Sequence, residues 1–202
     1  SAQIVTEPLP KSVWDRNGWE GHEILGDASN SYCYCQRTRE GRITVGARGG
    51  PSGWGSVMAW DGRTDKVAYA RRVDVLQGYF PAAKGVGIAH VWCGVLGAPR
   101  DWCATVGFDP ASGVGWGGGY VGVGVSTSNL AGRTLCDLVM GRETELTRLP
   151  WVNRRVRRWE PEPLRWLGVR GMHRLLLLAD RAEARGGGPS AWAKLGKRLA
   201  GR

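Results

Sequence analysis

The sequence predicts a mixed fold of the α+β class, and three observations lead to that prediction. Side chains alternate between the two faces over residues 31–47, as they do in a β-hairpin with one buried face. Apolar residues recur at helical spacing over residues 64–79. A glycine-rich strand and turn over residues 113–124 lead into a second amphipathic helix. Strands crossed by one helix, followed by a strand–turn–helix unit, are typical of this class.

The elements of the N-terminal part follow in order. Residues 3–6 form a short β-type run before two prolines, and the hairpin comes next. The helix after the hairpin has Asp61 or Thr64 as its predicted N-cap, because both side chains can accept a hydrogen bond from a free helix amide. Residues 88–93 have the sequence IAHVWC, in which β-branched and aromatic side chains predict a further strand.

The C-terminal part is predicted to be mainly helical after the glycine-rich turn. A helix over about residues 127–140 is expected to begin at Ser126, Thr127 or Ser128, any of which can cap it. A basic helix follows over about residues 164–185, and a Gly-Gly-Gly-Pro break separates it from a short last helix.

Positive charge is concentrated in the last third of the chain. The net charge is +10, yet residues 1–141 contain 13 basic and 12 acidic side chains, whereas residues 142–202 contain 15 and 6. The near-neutral body excludes a basic nucleic-acid-binding domain. A basic arm is still compatible with this distribution.

The five cysteines predict a reducing, cytoplasmic environment, because an odd number at irregular spacing is a poor disulfide framework. Cys33 and Cys35 form a C-x-C pair, but no second pair stands at zinc-site spacing, so no metal is predicted. No leader sequence is recognisable, and no uncharged apolar run reaches the ~18 residues of a membrane span. The chain starts directly in a predicted strand without an initiator Met, as expected for part of a longer protein.

The glycine-rich turn is the most informative stretch. It matches G-x-G-x-x-G twice, but no second strand ending in an acidic residue follows, so we reject a dinucleotide-pyrophosphate site. Backbone without Cβ atoms can approach a planar ligand closely, and the following helix N-terminus offers free amides to phosphate or to the O2/N1 edge of a flavin. The alternative is tight strand–helix packing without any ligand.

Three segments carry a resemblance to a known family. Residues 92–107 have the sequence WCGVLGAPRDWCATVG, which resembles the W-x-G-x-R-P-x-T-P-D-x-x-P-x-I-G motif of FAD-dependent amine and amino-acid oxidases. This group includes glycine oxidase, sarcosine oxidase and D-amino-acid oxidase. Residues 119–125 and 131–141 resemble its G-H-x-x-N-G-(I/V) turn and its closing G-R-x-x-A-D-L-(I/V)-x-G helix. Over residues 1–167 the sequence is most similar to the γ-glutamylputrescine-oxidase-like branch.

The resemblance implies the C-terminal part of a two-domain α/β flavoprotein. Residues 1–93 would belong to the substrate-binding domain with its antiparallel sheet, residues 94–141 to the C-terminal segment of the FAD-binding domain, and residues 142–202 to an Arg-rich helical tail. The N-terminal half that binds the rest of FAD is absent from these 202 residues, so we expect the chain alone to be inactive. The backbone contacts to the flavin ring would come from Gly119, Tyr120, Val121, Gly122, Val123, Gly124 and Val125.

The implied chemistry is hydride transfer from the carbon bearing an amine to flavin N5, followed by reoxidation by oxygen or another electron acceptor. Leu96 stands where amino-acid oxidases have the Arg that binds the substrate carboxylate, which favours an amine without a carboxylate. Tyr32, Tyr34 and Arg48 are further candidates for substrate contact, since aromatic side chains suit amines. No residue is assigned as catalytic, and the three histidines match no nucleophile or base pattern.

A competing hypothesis treats the chain as a small non-catalytic protein. Its Arg-rich tail would then bind nucleic acid or an anionic membrane surface, and the glycine turn would be purely structural. We favour the alternative in which the basic side chains of the tail are solvated and its leucines pack on protein. The oxidoreductase is therefore the leading hypothesis, and nucleic acid is not a predicted partner.

Overall fold

A computed structural model describes residues 1–47, 50, 53–57, 62, 64–186 and 190–199. The chain divides into two compact units. Ser1–Val95 and the segment from Glu162 onward form the first unit, and Leu96–Pro161 form the second. None of the helices in the described part of the chain is long and apolar enough to cross a membrane.

The described residues form seven strands and five α-helices, which confirms the mixed fold class. The strands are β1 (Ala2–Thr6), β2 (Ile24–Gly26), β3 (Cys33–Arg37), β4 (Ile43–Ala47), β5 (Ile88–Cys93), β6 (Thr105–Asp109) and β7 (Val114–Gly118). The α-helices are α1 (Lys11–Asn17), α2 (Lys66–Tyr79), α3 (Gly124–Val139), α4 (Leu164–Glu183) and α5 (Ala191–Leu199).

The first unit contains a five-stranded antiparallel sheet in the order β2-β3-β4-β1-β5. The predicted hairpin is confirmed as β3 and β4, with Cys33 opposite Ala47 and Arg37 opposite Ile43. Its turn is closed by the Thr38 amide, which donates to the Arg42 carbonyl at 2.9 Å. Because side chains of a strand point alternately to opposite faces, one face of this sheet is buried, whereas most residues of the other face are partly exposed.

The buried face of the sheet packs against α1 and α2. Ile4, Ile43 and Val45 are fully buried there, together with Leu76 from α2. Burying each of these side chains stabilises the fold by roughly 1.5–3 kcal/mol. The strand and helix predicted for this region are both present, whereas sequence patterning missed the short α1 and the three-residue β2.

The N-cap of α2 differs from both predicted caps. Asp65 accepts a hydrogen bond from the Ala68 amide at 2.8 Å, so it caps the helix one residue after Thr64. Asp61 lies outside the described residues. Asp65 stands directly before the first helical residue, Lys66, so its side chain reaches the amide of the third helical residue.

The second unit is built on the hairpin β6–β7, which packs against α3. Sequence patterning missed β6. The helix α3 begins at Gly124, earlier than predicted, and its N-cap position is occupied by Val123 without a side-chain hydrogen bond. Thr127 and Ser128 were expected to cap the helix, but their hydroxyls donate to the carbonyls of Val123 and Val125 at 2.7 and 3.2 Å.

The helix α4 belongs to the first unit and packs against α5. It has the extent that the sequence predicts to within two residues. Leu176 is buried and Leu178 is exposed, which agrees with partial burial of the four consecutive leucines.

Candidate functional site

The turn that joins β7 to α3 has an unusual backbone. Gly119, Val121 and Gly122 all have positive φ, at 73°, 40° and 108°. A positive φ is uncommon for any residue with a side chain, and for a β-branched residue such as Val121 it is a strained conformation. Strain of this kind concentrates at functional sites, so the turn is the leading candidate for a binding site in this unit.

The N-terminus of α3 is open at the end of this turn. Val123 is 64% exposed and Val125 is 95% exposed, so two apolar side chains face solvent beside the first helix amides. No side chain caps these amides within the described residues. They carry the partial positive charge of the helix dipole and suit a group that has or gains negative charge.

Packing explains only some of the glycines around the turn. A Cβ built on Gly115 would lie 2.9 Å from Leu135 Cδ1 of α3, and one built on Gly117 would lie 3.7 Å from Ala131 Cβ of the same helix. These two glycines therefore permit close strand–helix packing, as the ligand-free alternative expects. A Cβ on Gly118 would meet nothing within 4 Å, so packing does not account for that glycine.

The open face of the sheet in the first unit carries a row of polar and aromatic residues. Tyr34, Gly46, Gln3 and Trp92 stand opposite one another on β3, β4, β1 and β5. The Tyr34 ring covers Gly46, where a Cβ would lie only 2.2 Å from Tyr34 Cζ. Gln3 Nε2 donates to the Tyr34 hydroxyl at 2.9 Å. In this row the Tyr34 ring packs on the backbone of Gly46, and the side chain of Gln3 is hydrogen-bonded to the Tyr34 hydroxyl.

Two of the predicted substrate residues lie together in this region. Tyr32, 40% exposed, has its ring centroid 6.4 Å from that of Tyr34. Arg48 lies outside the described residues. Leu96 is 60% exposed and belongs to the second unit, so the structure does not relate it to the two tyrosines.

Sequence reasoning missed part of this face. No site role is predicted from the sequence for Gln3, Trp92 or His90. The rings of His90 and Trp92 stack at 5.7 Å with an interplanar angle of 20°. The two-residue alternation of β5 was the available signal, because it puts both side chains on the same face as Gln3.

The loop before Tyr32 is held by two carboxylates. Asp27 accepts hydrogen bonds from the Cys33 amide at 3.0 Å and from the Tyr79 hydroxyl. Asp180 of α4 accepts from the Ser31 amide at 3.0 Å and from the amide of the preceding residue at 2.7 Å. Partial burial opposes ionisation of Asp27, but its hydrogen bonds outweigh that effect and lower its pKa.

The C-x-C pair belongs to the core face of β3. Cys33 and Cys35 are both buried, and burial raises the pKa of the Cys35 thiol to about 12. A thiol with so high a pKa is a poor nucleophile. Within the described residues, no three His, Cys, Asp or Glu side chains come together as a metal site.

Comparison with protein families gives one match that covers most of the chain. The family model described as DAO, FAD dependent oxidoreductase, matches residues 1–138. A curated relative, the probable oxidoreductase OrdL of Rhizobium meliloti (strain 1021), is 30% identical over 129 residues. That alignment covers 62% of this chain and 27% of the relative.

Solved structures share the fold. Glycine oxidase from Geobacillus kaustophilus has a TM-score of 0.59 and 17% identity, over 76% of this chain and 38% of its own. Iminodiacetate oxidase from Chelativorans sp. BNC1 has a TM-score of 0.55 and 22% identity, over 75% and 38%. A fructosyl peptide oxidase mutant has a TM-score of 0.57 and 13% identity, over 82% and 41%. The chain therefore spans well under half the length of each of these proteins.

Proposed function

The chain belongs to the DAO family of FAD-dependent oxidoreductases, and we propose that it is the part of an amine oxidase that contacts the flavin ring and the substrate. Residues 1–93 would contribute the substrate-binding sheet, residues 94–141 the C-terminal segment of the FAD-binding domain, and residues 142–202 a helical tail. FAD-dependent relatives that share the fold and oxidise amino compounds support this proposal.

The open turn before α3 is the observation that carries the proposal. The residues present fit a flavin ring in three respects: the first amides of α3 lack a side-chain cap, Val123 and Val125 offer apolar contact, and a Cβ on Gly118 would meet only open space. The flavin gains negative charge at its O2/N1 edge on reduction, and a helix N-terminus stabilises such charge. We assign the ring contacts to the backbone of residues 119–125.

FAD, when bound, supplies the electron acceptor for removal of a hydride from the carbon next to an amine. The chain's own residues would orient that amine. Tyr32 and Tyr34 present aromatic surface, which attracts a cationic amine, and Gln3 holds the Tyr34 hydroxyl in place. Arg48 is proposed as a further substrate contact. Leu96 cannot bind a carboxylate, so we propose an amine without an α-carboxylate as the substrate.

The electron acceptor is proposed to be molecular oxygen or another small acceptor. We also propose a cytoplasmic location, because five cysteines at irregular spacing are a poor disulfide framework and are typical of reducing compartments. On its own the 202-residue chain should bind FAD poorly and lack activity, since the proposed adenosine and pyrophosphate contacts lie outside it.

The substitution Val125→Asp in the full-length protein tests the flavin assignment. Val125 is almost fully exposed in the first turn of α3, so a carboxylate there causes no steric conflict and favours the helix by roughly 0.3–1 kcal/mol. The same carboxylate would repel the negatively charged edge of a reduced flavin. We expect unchanged or higher thermal stability of the apoprotein, together with a flavin reduction potential lowered by tens of millivolts.

A matched control is Val114→Asp, since Val114 is also an exposed valine of the second unit but lies at the other end of β7. The control should leave both the FAD affinity and the reduction potential unchanged. If Val125→Asp also leaves both quantities at their wild-type values, the turn does not contact the flavin. The substrate class is tested separately, by measuring hydrogen peroxide release with simple amines and with α-amino acids. We expect faster release with the simple amines.

A further inference from the structure

Residues 151–160 lie beyond the part of the chain that the family model matches, and they make hydrogen bonds to the loop of residues 98–104. This segment first runs beside β6. The Val106 amide donates to the Trp151 carbonyl at 3.2 Å, and the Asn153 amide donates to the Val106 carbonyl at 2.8 Å. These backbone bonds fix the position from which the next side chain, Arg154, reaches the loop.

Arg154 makes four hydrogen bonds to the loop from one guanidinium. It binds both carboxylate oxygens of Asp101, and it donates to the carbonyls of Cys103 at 2.7 Å and Ala104 at 3.3 Å. Its side chain is only 19% exposed. The hydrogen bonds from Arg154 lower the pKa of the Asp101 carboxyl. A bidentate pair of this kind fixes orientation as well as distance.

The other end of the loop has two further anchors in the same segment. Arg100 Nε lies 3.0 and 2.9 Å from the two carboxylate oxygens of Glu160. The Trp159 indole nitrogen donates to the Ala98 carbonyl at 2.9 Å, and the Arg100 guanidinium lies over the Trp159 ring at 5.3 Å. The loop is therefore held at both ends by residues 154–160.

The glycine turn rests on this loop. A Cβ built on Gly119 would lie 2.6 Å from Pro99 Cγ and 3.4 Å from the Cys103 carbonyl oxygen. Gly119 thus lies against the loop at Pro99 and Cys103, close to the carbonyls that Trp159 and Arg154 hold. Gly119 and Pro99 are both half-buried, and because they are in direct contact a displacement of the loop would also displace the turn.

From these contacts we infer that Arg154 is a positioning residue for the flavin turn, which it holds in place through the loop of residues 98–104. Trp159 and Glu160 share this role at the other end of the loop. The inference rests on the proposed function for its consequence in flavin binding. It gives Arg154 a structural role, whereas composition alone places this residue in a solvated or nucleic-acid-binding tail.

Hydrogen exchange in the full-length protein without added FAD tests the positioning directly. Two amides report it: that of Trp102, which donates to the Pro99 carbonyl at 3.1 Å, and that of Val123, which donates to the Tyr120 carbonyl at 3.1 Å. In Arg154→Met both should exchange roughly tenfold faster, because one charge-assisted network is lost. Arg154→Lys should give an intermediate rate, since an ammonium keeps the charge but cannot make all four bonds.

The matched control is Arg155→Met, which removes the neighbouring, exposed arginine and should change neither amide. Amides of the five-stranded sheet report on global stability. If Trp102 exchanges faster in Arg154→Met but Val123 does not, the loop does not position the turn and the inference is wrong. If the sheet amides accelerate equally, the effect is a general loss of stability, which also overturns it. Trp159→Phe keeps an aromatic side chain but loses the indole N–H donor to Ala98, and it extends the test if Arg154→Met fails to fold.

FAD titration separates this inference from the proposed function. Wild-type full-length protein that binds no FAD would refute the proposed function, and the exchange result would stand. If wild-type protein binds FAD, Arg154→Met should bind it roughly tenfold more weakly, with a changed visible circular dichroism of the bound flavin, whereas Arg155→Met should match wild type. Unchanged affinity and spectrum in Arg154→Met would overturn the inference.

Discussion

Substituting Gly119 by alanine is the most direct perturbation of the glycine turn. The residue has a φ of +73°, and its missing Cβ would lie 2.6 Å from Pro99 Cγ and 3.4 Å from the Cys103 carbonyl oxygen. Alanine is thus disfavoured twice, once by its own backbone and once by its neighbours. The neighbour that must move is the ring of Pro99, which cannot rotate away as a flexible side chain would.

Two unfavourable contributions and one favourable contribution determine how much Gly119→Ala lowers the free energy of unfolding. A left-handed conformation costs an L-residue roughly 1–2 kcal/mol. The overlap with Pro99 costs roughly 1–3 kcal/mol. Alanine also lowers the conformational entropy of the unfolded chain, which stabilises the folded state by roughly 0.4–1 kcal/mol. The midpoints of these ranges combine to a fall of about 3 kcal/mol in the free energy of unfolding of this unit, and we expect a loss of about 2–4 kcal/mol.

Thermal unfolding of the full-length apoprotein measures this loss. A unit that is destabilised by 2–4 kcal/mol should show a Tm lowered by roughly 5–12 °C. The control is Gly118→Ala at the adjacent position, where a Cβ meets nothing within 4 Å and φ is not positive, so its Tm should stay within a few degrees of wild type. Equal Tm values for Gly119→Ala and wild type, or an equal loss in Gly118→Ala, would refute the packing argument.

Three further predictions concern the substrate side and the pH dependence. Leu96→Arg should raise the turnover of α-amino acids relative to simple amines, and an unchanged ratio would mean that this residue does not face the substrate. Gly46→Ala should displace the Tyr34 ring and raise KM for the amine without changing FAD affinity, which steady-state kinetics and FAD titration resolve. The lowered pKa of Asp27 contributes stability that is present above about pH 4 and is lost as the pH falls through the folded-state value. Asp27→Asn should therefore flatten the acid side of the stability curve, measured as urea midpoints at pH 7 and pH 3.

The sequence predicts the elements whose signal is local and strong. The hairpin β3–β4 is revealed by two-residue alternation and a Glu-Gly turn, and α2 by regular apolar spacing over more than three turns. The bounds of α4 are indicated by the prolines before it and the Gly-Gly-Gly-Pro break after it. The family also follows from the sequence, because its motifs lie in continuous stretches. Short elements such as α1 and β2 lack enough residues for a period to appear, so their presence depends on tertiary packing.

The start of α3 shows why local capping rules fail at the proposed flavin turn. Ser126, Thr127 and Ser128 have the side chains of good caps, and the sequence therefore predicts a start beside them. The helix instead extends to Gly124, and the hydroxyls of Thr127 and Ser128 bind carbonyls within the helix. The first amides are then left without side-chain partners. A ligand that accepts hydrogen bonds can fill that position, and no capping rule takes such a ligand into account.

The charge of the last 61 residues shows that composition alone does not reveal which arginines are paired in the fold. A net charge of +9 in that segment suggests a surface for polyanions, because a sum of charges treats every arginine as free. Arg154 and Arg165 are instead paired with Asp101 and Glu162, and both arginines are mostly buried. An arginine that must leave such a pair to bind a phosphate loses a bidentate contact and gains only a similar one. These two arginines therefore have a structural role, and the net charge of the segment overstates the basic surface that is available to a polyanion.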